Sequence, residues 1–412
     1  MRIVIDMQGA QTESRFRGIG RYTMFFAQAI VRNRGEHEVI LALSGLFPDT
    51  IESIRAAFDG QLPQECIRVW YAPGPVREYD PSNSSRREVA EIIREAFLKA
   101  LYPDVLLITS LFEGWGDDAV TSVGCFDSAT PTVTVLYDLI PLIAPDIHFQ
   151  TDSRHIGYYT RKIDSLKRSA ALLAISESSR REALSELWFD PKRVVTISAG
   201  CDPRFHMVDV SDEERDAFLK ELGIAKSFLM YTGGADERKN LRRFIQAFAV
   251  VPKDLREKHQ LVIVGKMPGG NVAELRMVAN ESGLATTELV FTGYVGDREL
   301  MQLYGLCATF VFPSLHEGFG LPPLEAMACG APVITSNVTS LPEVVGREDA
   351  MFDPLSISDI SEKIRQVLTD ESFRRDLIRH GTERVKSFSW DSCAQIAIAT
   401  MEDIARLASV VR

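Results

Sequence analysis

The chain predicts an α/β protein built from two doubly wound, Rossmann-like units. Three observations predict it. Twelve short apolar runs recur along 412 residues, most of them β-branched and unalternating. That is the pattern of parallel strands covered on both faces. Amphipathic stretches such as 86–101, 154–169, 240–250 and 357–369 separate the runs, as in repeated βαβ units. The alternation then runs through twice, and a chain this long exceeds a single hydrophobic core.

The first set of strands is placed at 2–6, 38–43, 67–72, 104–109, 132–137, 170–175 and 193–197. The second is placed at 227–232, 260–264, 288–292, 308–313 and 332–335. Ser198-Ala199-Gly200-Cys201-Asp202-Pro203 closes the first set, and Val210-Ser211-Asp212 supplies the cap of the next helix. The expected division is an N-terminal unit over 1–204, a C-terminal unit over 205–388, and a tail over 389–412. The tail, from Trp390 to Arg412, is amphipathic and is expected to pack back on the first unit. Sheets of this kind bind ligands at the carboxyl ends of their strands, which places the expected ligand in a cleft between the units.

Composition narrows the function. With 45% hydrophobic and 25% charged residues the chain is globular, and its net charge of −11 argues against nucleic acid as a partner. Six cysteines, at 66, 125, 201, 307, 329 and 393, form no C-x-x-C pair, which favours a reducing compartment and disfavours structural zinc. No signal-peptide core and no apolar run long enough to span a bilayer is present, so a cytoplasmic location is expected. The basic and aromatic stretch from Arg154 to Arg181 reads either as a solvated helix face or as a contact with the inner face of the cytoplasmic membrane.

The richest motif is His316-Glu317-Gly318-Phe319-Gly320-Leu321-Pro322-Pro323-Leu324-Glu325, which runs on to Gly330. Pro322 and Pro323 fit only a helix's first turn, and Gly330 suits the C-terminal cap. Glu317 is therefore expected in the loop and Glu325 in the first helical turn. Gly318 and Gly320 leave backbone N–H groups open to close approach, and a helix N-terminus among glycines attracts phosphate. Carboxylates beside it suit sugar or ribose hydroxyls. A nucleotide-sugar would meet all of these groups.

A second loop, Gly233-Gly234-Ala235-Asp236-Glu237-Arg238-Lys239-Asn240, follows a strand and opens a helix. Arg238 and Lys239 oppose the helix macrodipole there, so the loop is expected to take an anion between them, such as a diphosphate, with a solvated basic turn as the plainer alternative. Near the N-terminus, Arg15-Phe16-Arg17-Gly18-Ile19-Gly20-Arg21 opens another helix, but Thr23 stands where a dinucleotide fingerprint needs glycine. Gly18, Gly20 and Arg21 form either a phosphate or acceptor loop or an ordinary tight turn. Tyr137 and Asp138 end a strand, a usual place for site residues, with a helix cap as the plainer alternative. The run 336–343 either lines the Glu317 pocket or caps a helix. No D-x-D, P-loop, H-E-x-x-H or G-x-S-x-G is present.

Together these residues resemble glycosyltransferase family 4, retaining enzymes of the GT-B fold. Glu317 and Glu325 match its E-(x)7-E motif, 233–241 its diphosphate loop, and Ile175-Ser176-Glu177-Ser178-Ser179 its I-S-x-x-S segment. The opening, from Met7 to Tyr22, also resembles mannosyltransferases that build bacterial O-antigen polysaccharides. The resemblance implies that Arg238 and Lys239 hold the donor diphosphate and that Glu317 and the 318–321 backbone meet the donor sugar. It assigns the ribose to Glu325 and the base to Tyr294 and Val295. It implies catalytic roles for Arg238, Lys239, Glu317 and Asp138, with no metal and no cofactor. The donor it implies is GDP-mannose, with a UDP- or dTDP-sugar, or a non-catalytic nucleotide-sugar-binding subunit, as alternatives. The implied acceptor is a saccharide or lipid-linked saccharide, with other polysaccharide-assembly enzymes as partners. Two departures stand out: Tyr137 replaces a common histidine, and Gly234-Ala235 lacks a common arginine, which leaves Arg238 as the candidate to replace it.

Overall fold

The computed structural model describes residues 1–16, 18–145, 149 and 152–411; Arg17 and Arg412, both named above, lie outside the described residues. The chain divides into two compact units. One comprises Met1–Gly200 and Ser389–Arg412, the other Cys201–Phe388. The boundary thus falls slightly before 204/205. Cys201 donates its backbone N–H to Phe388 O, Arg204 pairs with Asp297 at 2.9 Å, and Phe205 packs against Tyr304, so these residues belong to the second unit.

The first unit carries β1 (Arg2–Asp6), β2 (Glu38–Ser44), β3 (Ile67–Trp70), β4 (Val105–Ile108), β5 (Thr132–Leu136), β6 (Ala171–Ala174) and β7 (Val194–Thr196). They form one parallel sheet in the order β3-β2-β1-β4-β5-β6-β7. The second carries β8 (Ser227–Thr232), β9 (His259–Val264), β10 (Leu289–Gly293), β11 (Thr309–Phe312), β12 (Val333–Ser336) and β13 (Met351–Phe352), ordered β10-β9-β8-β11-β12-β13 and again parallel. Every strand read from the sequence is present. Ile3, Val4 and Ile5 in β1 and Leu229, Met230 and Tyr231 in β8 are fully buried, because helices cover both faces of each sheet. Only β13 went unread. It has two residues, paired with Thr335 and Ser336, too few to show a period.

Helices Ser84–Ala100, Ser153–Lys167, Leu241–Ala249 and Ile357–Thr369 fill the amphipathic stretches. Ser211 caps helix Asp212–Glu221 through a reciprocal capping box with Glu214. Helix Trp390–Val411 lies along helix Gly18–Asn33. Arg32 pairs with Asp391 at 2.6 Å, and the Trp390 ring meets Tyr22 edge-on at 4.9 Å. The Arg154–Arg181 stretch is not one helix face, since β6 interrupts it. Tyr158 and Tyr159 are core residues, and Lys162 is buried with its Nζ on Thr121 O at 2.5 Å. Among the described residues no helix is long and apolar enough to cross a membrane.

Candidate active site

The second unit's site grows from the carboxyl ends of β8 and β11. After β8 the chain passes Gly233, at φ +145, and Gly234, whose carbonyl accepts the Tyr231 hydroxyl at 2.9 Å. A 3-10 turn over Glu237–Lys239 follows, and then Asn240 in the left-handed conformation at φ +60. Asparagine tolerates that region better than most residues. Its Nδ2 bonds Pro313 O at 3.0 Å and Pro354 O at 2.8 Å, which fixes where the turn ends. Helix Leu241–Ala249 begins immediately after it.

After β11 the loop 313–320 leads into helix Leu321–Ala328, with Pro322 and Pro323 in its opening turn. Gly320 sits at φ +119, where an added Cβ would also lie 2.9 Å from Leu341. A larger residue there is strained twice over. Gly330 follows the helix at φ +79 as a terminating residue. Glu325 is the fifth residue of this helix and stands one place beyond the first turn where it was expected, because the helix already starts at Leu321. Phe319 turns into the core against Phe388, so only its backbone is offered to a ligand.

The two loops meet through charge. Lys239 Nζ lies 2.6 Å from Glu317 Oε1, and Arg238 Nη1 lies 3.1 Å from Glu317 Oε2. Arg238 Nε also pairs with Asp236 at 2.9 Å. The anion that the sequence demanded between the two cations is therefore a side chain of the protein itself. Burial pushes the Glu317 carboxyl upward, but Lys239 and then Arg238 outweigh it and hold it below the usual carboxylate range. Thr339 Oγ1 accepts the Glu317 N–H at 3.1 Å, and Ser340 Oγ donates to Glu317 O at 2.9 Å and Phe319 O at 2.6 Å. The hydroxyls of 336–343 thus clasp the loop backbone instead of capping a helix.

Glu325 is buried, with the Tyr304 hydroxyl donating to its Oε2 at 3.4 Å. Burial first, then the Glu325 carboxylate, pushes the Cys201 thiol up to about 12. Tyr294 and Val295 follow β10, and the Tyr294 ring is 80% exposed. All six cysteines are free.

In the first unit Gly18 and Gly20 lie in the opening turn of helix Gly18–Asn33. A Cβ on Gly20 would fall 2.2 Å from Arg15 Cα, so glycine is required there by packing against the preceding turn. Arg21 lies half-buried in the same turn. The Tyr137 hydroxyl reaches Thr23 Oγ1 and Ile19 O, each at 3.5 Å, over this helix start. Asp138 Oδ1 accepts the Ile140 N–H at 3.1 Å, a turn-stabilising bond. Ser176 caps helix Glu177–Glu186, and Ser179 Oγ donates to Tyr137 O at 2.6 Å. That bond gives the I-S-x-x-S segment a local structural purpose. Sequence reasoning named no role for Asn240 or for Glu113, which lies beyond β4; each has partners far away along the chain.

Residues 214–384 match the model of the group 1 glycosyl transferases. The O-antigen chain mannosyltransferase B of Escherichia coli is 34% identical over 263 residues, covering 63% of this chain and 67% of that protein. The chain belongs to this glycosyltransferase family. The serotype-specific mannosyltransferase WbdA of Escherichia coli is 36% identical over 399 residues, 97% of this chain but 47% of that protein. The chain thus spans about half the length of the first curated relatives it matches. Its fold is GT-B. The structure of Anabaena HepE in complex with UDP and glucose superposes with a TM-score of 0.68, at 16% identity, covering 98% of this chain and 100% of that one.

Proposed function

We propose that the chain is a retaining hexosyltransferase that moves mannose from GDP-mannose to a saccharide acceptor in bacterial O-antigen synthesis. The observation that carries the reading is the Arg238–Glu317–Lys239 cluster at the ends of β8 and β11. The mannosyl assignment is supported by relatives named as mannosyltransferases, and guanosine diphosphate is the carrier that goes with it in this reading.

Arg238 and Lys239 exchange Glu317 for the donor diphosphate, and the released carboxylate accepts hydroxyls of the donor sugar. Glu325 accepts from the ribose, and Tyr294 and Val295 flank the base. As the bond from C1 to the phosphate oxygen breaks, negative charge grows on the diphosphate. The two cations and the N–H groups of 318–321 meet it, and preorganised groups of this kind account for most of the rate enhancement in many enzymes. The acceptor hydroxyl bonds to C1 from the face the phosphate leaves, and its proton passes to the departing phosphate oxygen. Neither a metal nor a protein base is needed. Asp138 and Tyr137, with the Gly18–Arg21 turn, stand on the acceptor side. The work is done on the cytoplasmic side, peripherally at the membrane, where a lipid-linked acceptor and other assembly enzymes are met.

A thermal-shift series with GDP, UDP, dTDP and ADP tests the donor. At about 100 times Kd a ligand stabilises the folded state by about 2.7 kcal/mol, so GDP is expected to raise Tm the most. Transfer from GDP-mannose in the presence of EDTA completes the assay. A largest shift with UDP or dTDP transfers the reading to that donor class, and no shift with any of the four overturns it. Glu325→Ala is expected to weaken nucleoside diphosphate binding by about tenfold, or about 1.4 kcal/mol. Calorimetry showing unaltered affinity removes Glu325 from the ribose.

A further inference from the structure

The first unit holds a buried carboxylate that the reaction above leaves unused. Glu113, just past β4, is 6% exposed. Its Oε1 accepts Ser110 Oγ at 2.8 Å, and its Oε2 accepts Thr12 Oγ1 at 3.0 Å and Ser14 Oγ at 3.1 Å. Among the described residues no lysine or arginine forms an ion pair with it. A carboxylate out of water with no cation beside it carries a large desolvation penalty. Three hydroxyl donors offset part of that. Burial still wins and pushes the carboxyl upward. A carboxylate has about four lone-pair positions, so one remains to accept a further hydroxyl.

Two residues on, the half-buried Trp115 ring stacks on His155 at 4.5 Å. Tyr158 links the two features. Its ring lies 5.5 Å from Trp115, and its hydroxyl donates to Glu113 O at 3.0 Å. Asp117 follows, half-buried, with Oδ1 on the Ala119 N–H at 2.9 Å. The loop Glu113-Gly114-Trp115-Gly116-Asp117 therefore carries an indole flanked along the chain by two carboxylates. A pyranose has a face of C–H bonds and a rim of hydroxyls, which calls for an aromatic surface with acceptors at its edge. Glu113, with no cation paired to it among the described residues, disfavours a phosphorylated ligand and suits a neutral one. Thr12 and Ser14, which grip Glu113, belong to the segment that leads into the Gly18–Arg21 turn.

We propose that the loop 113–117 is an acceptor subsite for an uncharged pyranose, its C–H face on Trp115 and its hydroxyls on Glu113 and Asp117. The assignment to the acceptor rests on the transferase reading above.

The test follows methyl α-mannoside binding through intrinsic fluorescence, since Trp115 is one of only four tryptophans. It also measures the KM for the same glycoside with GDP-mannose as donor. Trp115→Ala is expected to abolish most of the saturable signal, and Trp115→Ala and Glu113→Gln each to raise the acceptor KM by about tenfold or more, about 1.4 kcal/mol. The GDP-induced thermal shift should match wild type in both, and a single cooperative urea transition followed by tryptophan fluorescence verifies that the first unit is folded. An unchanged acceptor KM in a folded Trp115→Ala protein overturns the subsite. If the wild type binds the glycoside through Trp115 yet turns over no sugar nucleotide, the transferase reading fails and the acceptor assignment falls with it, leaving a saccharide-binding loop.

Discussion

Lys239→Ala is expected to lower the rate of sugar transfer by about 10²-fold or more, the scale of losing one preorganised donor at a developing anion. Lys239 is 9% exposed, with its Nζ on Glu317 at 2.6 Å and 5.5 Å from the Phe312 ring. A buried cation so close to its counter-charge acts strongly in either of two ways. It neutralises the leaving diphosphate, or it merely holds Glu317. Comparing Lys239→Ala, Glu317→Gln and the double variant separates them. If Lys239 serves only Glu317, the double variant transfers sugar as fast as Glu317→Gln alone. The proposed mechanism requires a further large loss in kcat, because a group acting on the diphosphate is missing in addition. Titration gives a second readout. Glu317 has a folded-state pKa held down, so its contribution to stability is fully present above the unfolded value. That contribution is lost as pH falls through the folded one. Lys239 is the stronger of the two cationic influences on it. Its removal should therefore move the acid limb of stability to higher pH, read by melting temperature between about pH 3 and pH 6. An acid limb that stays in place breaks the link between the two residues.

What the sequence disclosed and what it concealed divide by distance along the chain. Strands of three or more residues were legible because each carries its own short apolar run, most of them buried on both faces. β13 was not, since Met351 and Phe352 become a strand only by pairing with β12. Pro322, Pro323 and Gly330 located one helix because their constraints are local. The exact start at Leu321 was missed because nothing about leucine marks a first residue. Glu317, Arg238 and Lys239 were legible one at a time, but not the fact that they neutralise one another, which joins loops 78 residues apart. Gly20 could be read as part of a ligand loop or of an ordinary tight turn, and only the Arg15 backbone, 2.2 Å from an added Cβ, shows why glycine stands there. Glu113 stayed hidden because a glutamate in a glycine-rich loop looks solvated until Thr12, 101 residues earlier, is seen to hold it.

Arg94→Met is expected to destabilise the first unit by about 3–5 kcal/mol, because it strands Asp6 as a buried, unpaired charge. Arg94 is fully buried, with Nε 2.7 Å and Nη2 2.5 Å from Asp6 Oδ2, and its Nη1 donates to Ser122 O at 3.1 Å. Asp6 closes β1, and its other oxygen accepts the Gln8 N–H at 3.0 Å. Gln8 in turn exchanges bonds with Val120, so the pair anchors two loops at the carboxyl end of the sheet. The composition of the chain makes the measurement clean. All four tryptophans, Trp70, Trp115, Trp188 and Trp390, belong to the first unit, and none to Cys201–Phe388. Tryptophan fluorescence during urea unfolding therefore follows that unit alone. At a slope of about 1–3 kcal/mol per molar urea, the expected loss lowers the midpoint by about 1 M or more. The GDP thermal shift reads the second unit separately. Replacing both partners, as in Asp6→Leu with Arg94→Met, should recover much of the loss, since an apolar pair leaves no stranded charge. A single variant whose midpoint stays at the wild-type value would show that Asp6 finds another partner or takes up a proton at little cost, and the pair would lose its role as the anchor of β1.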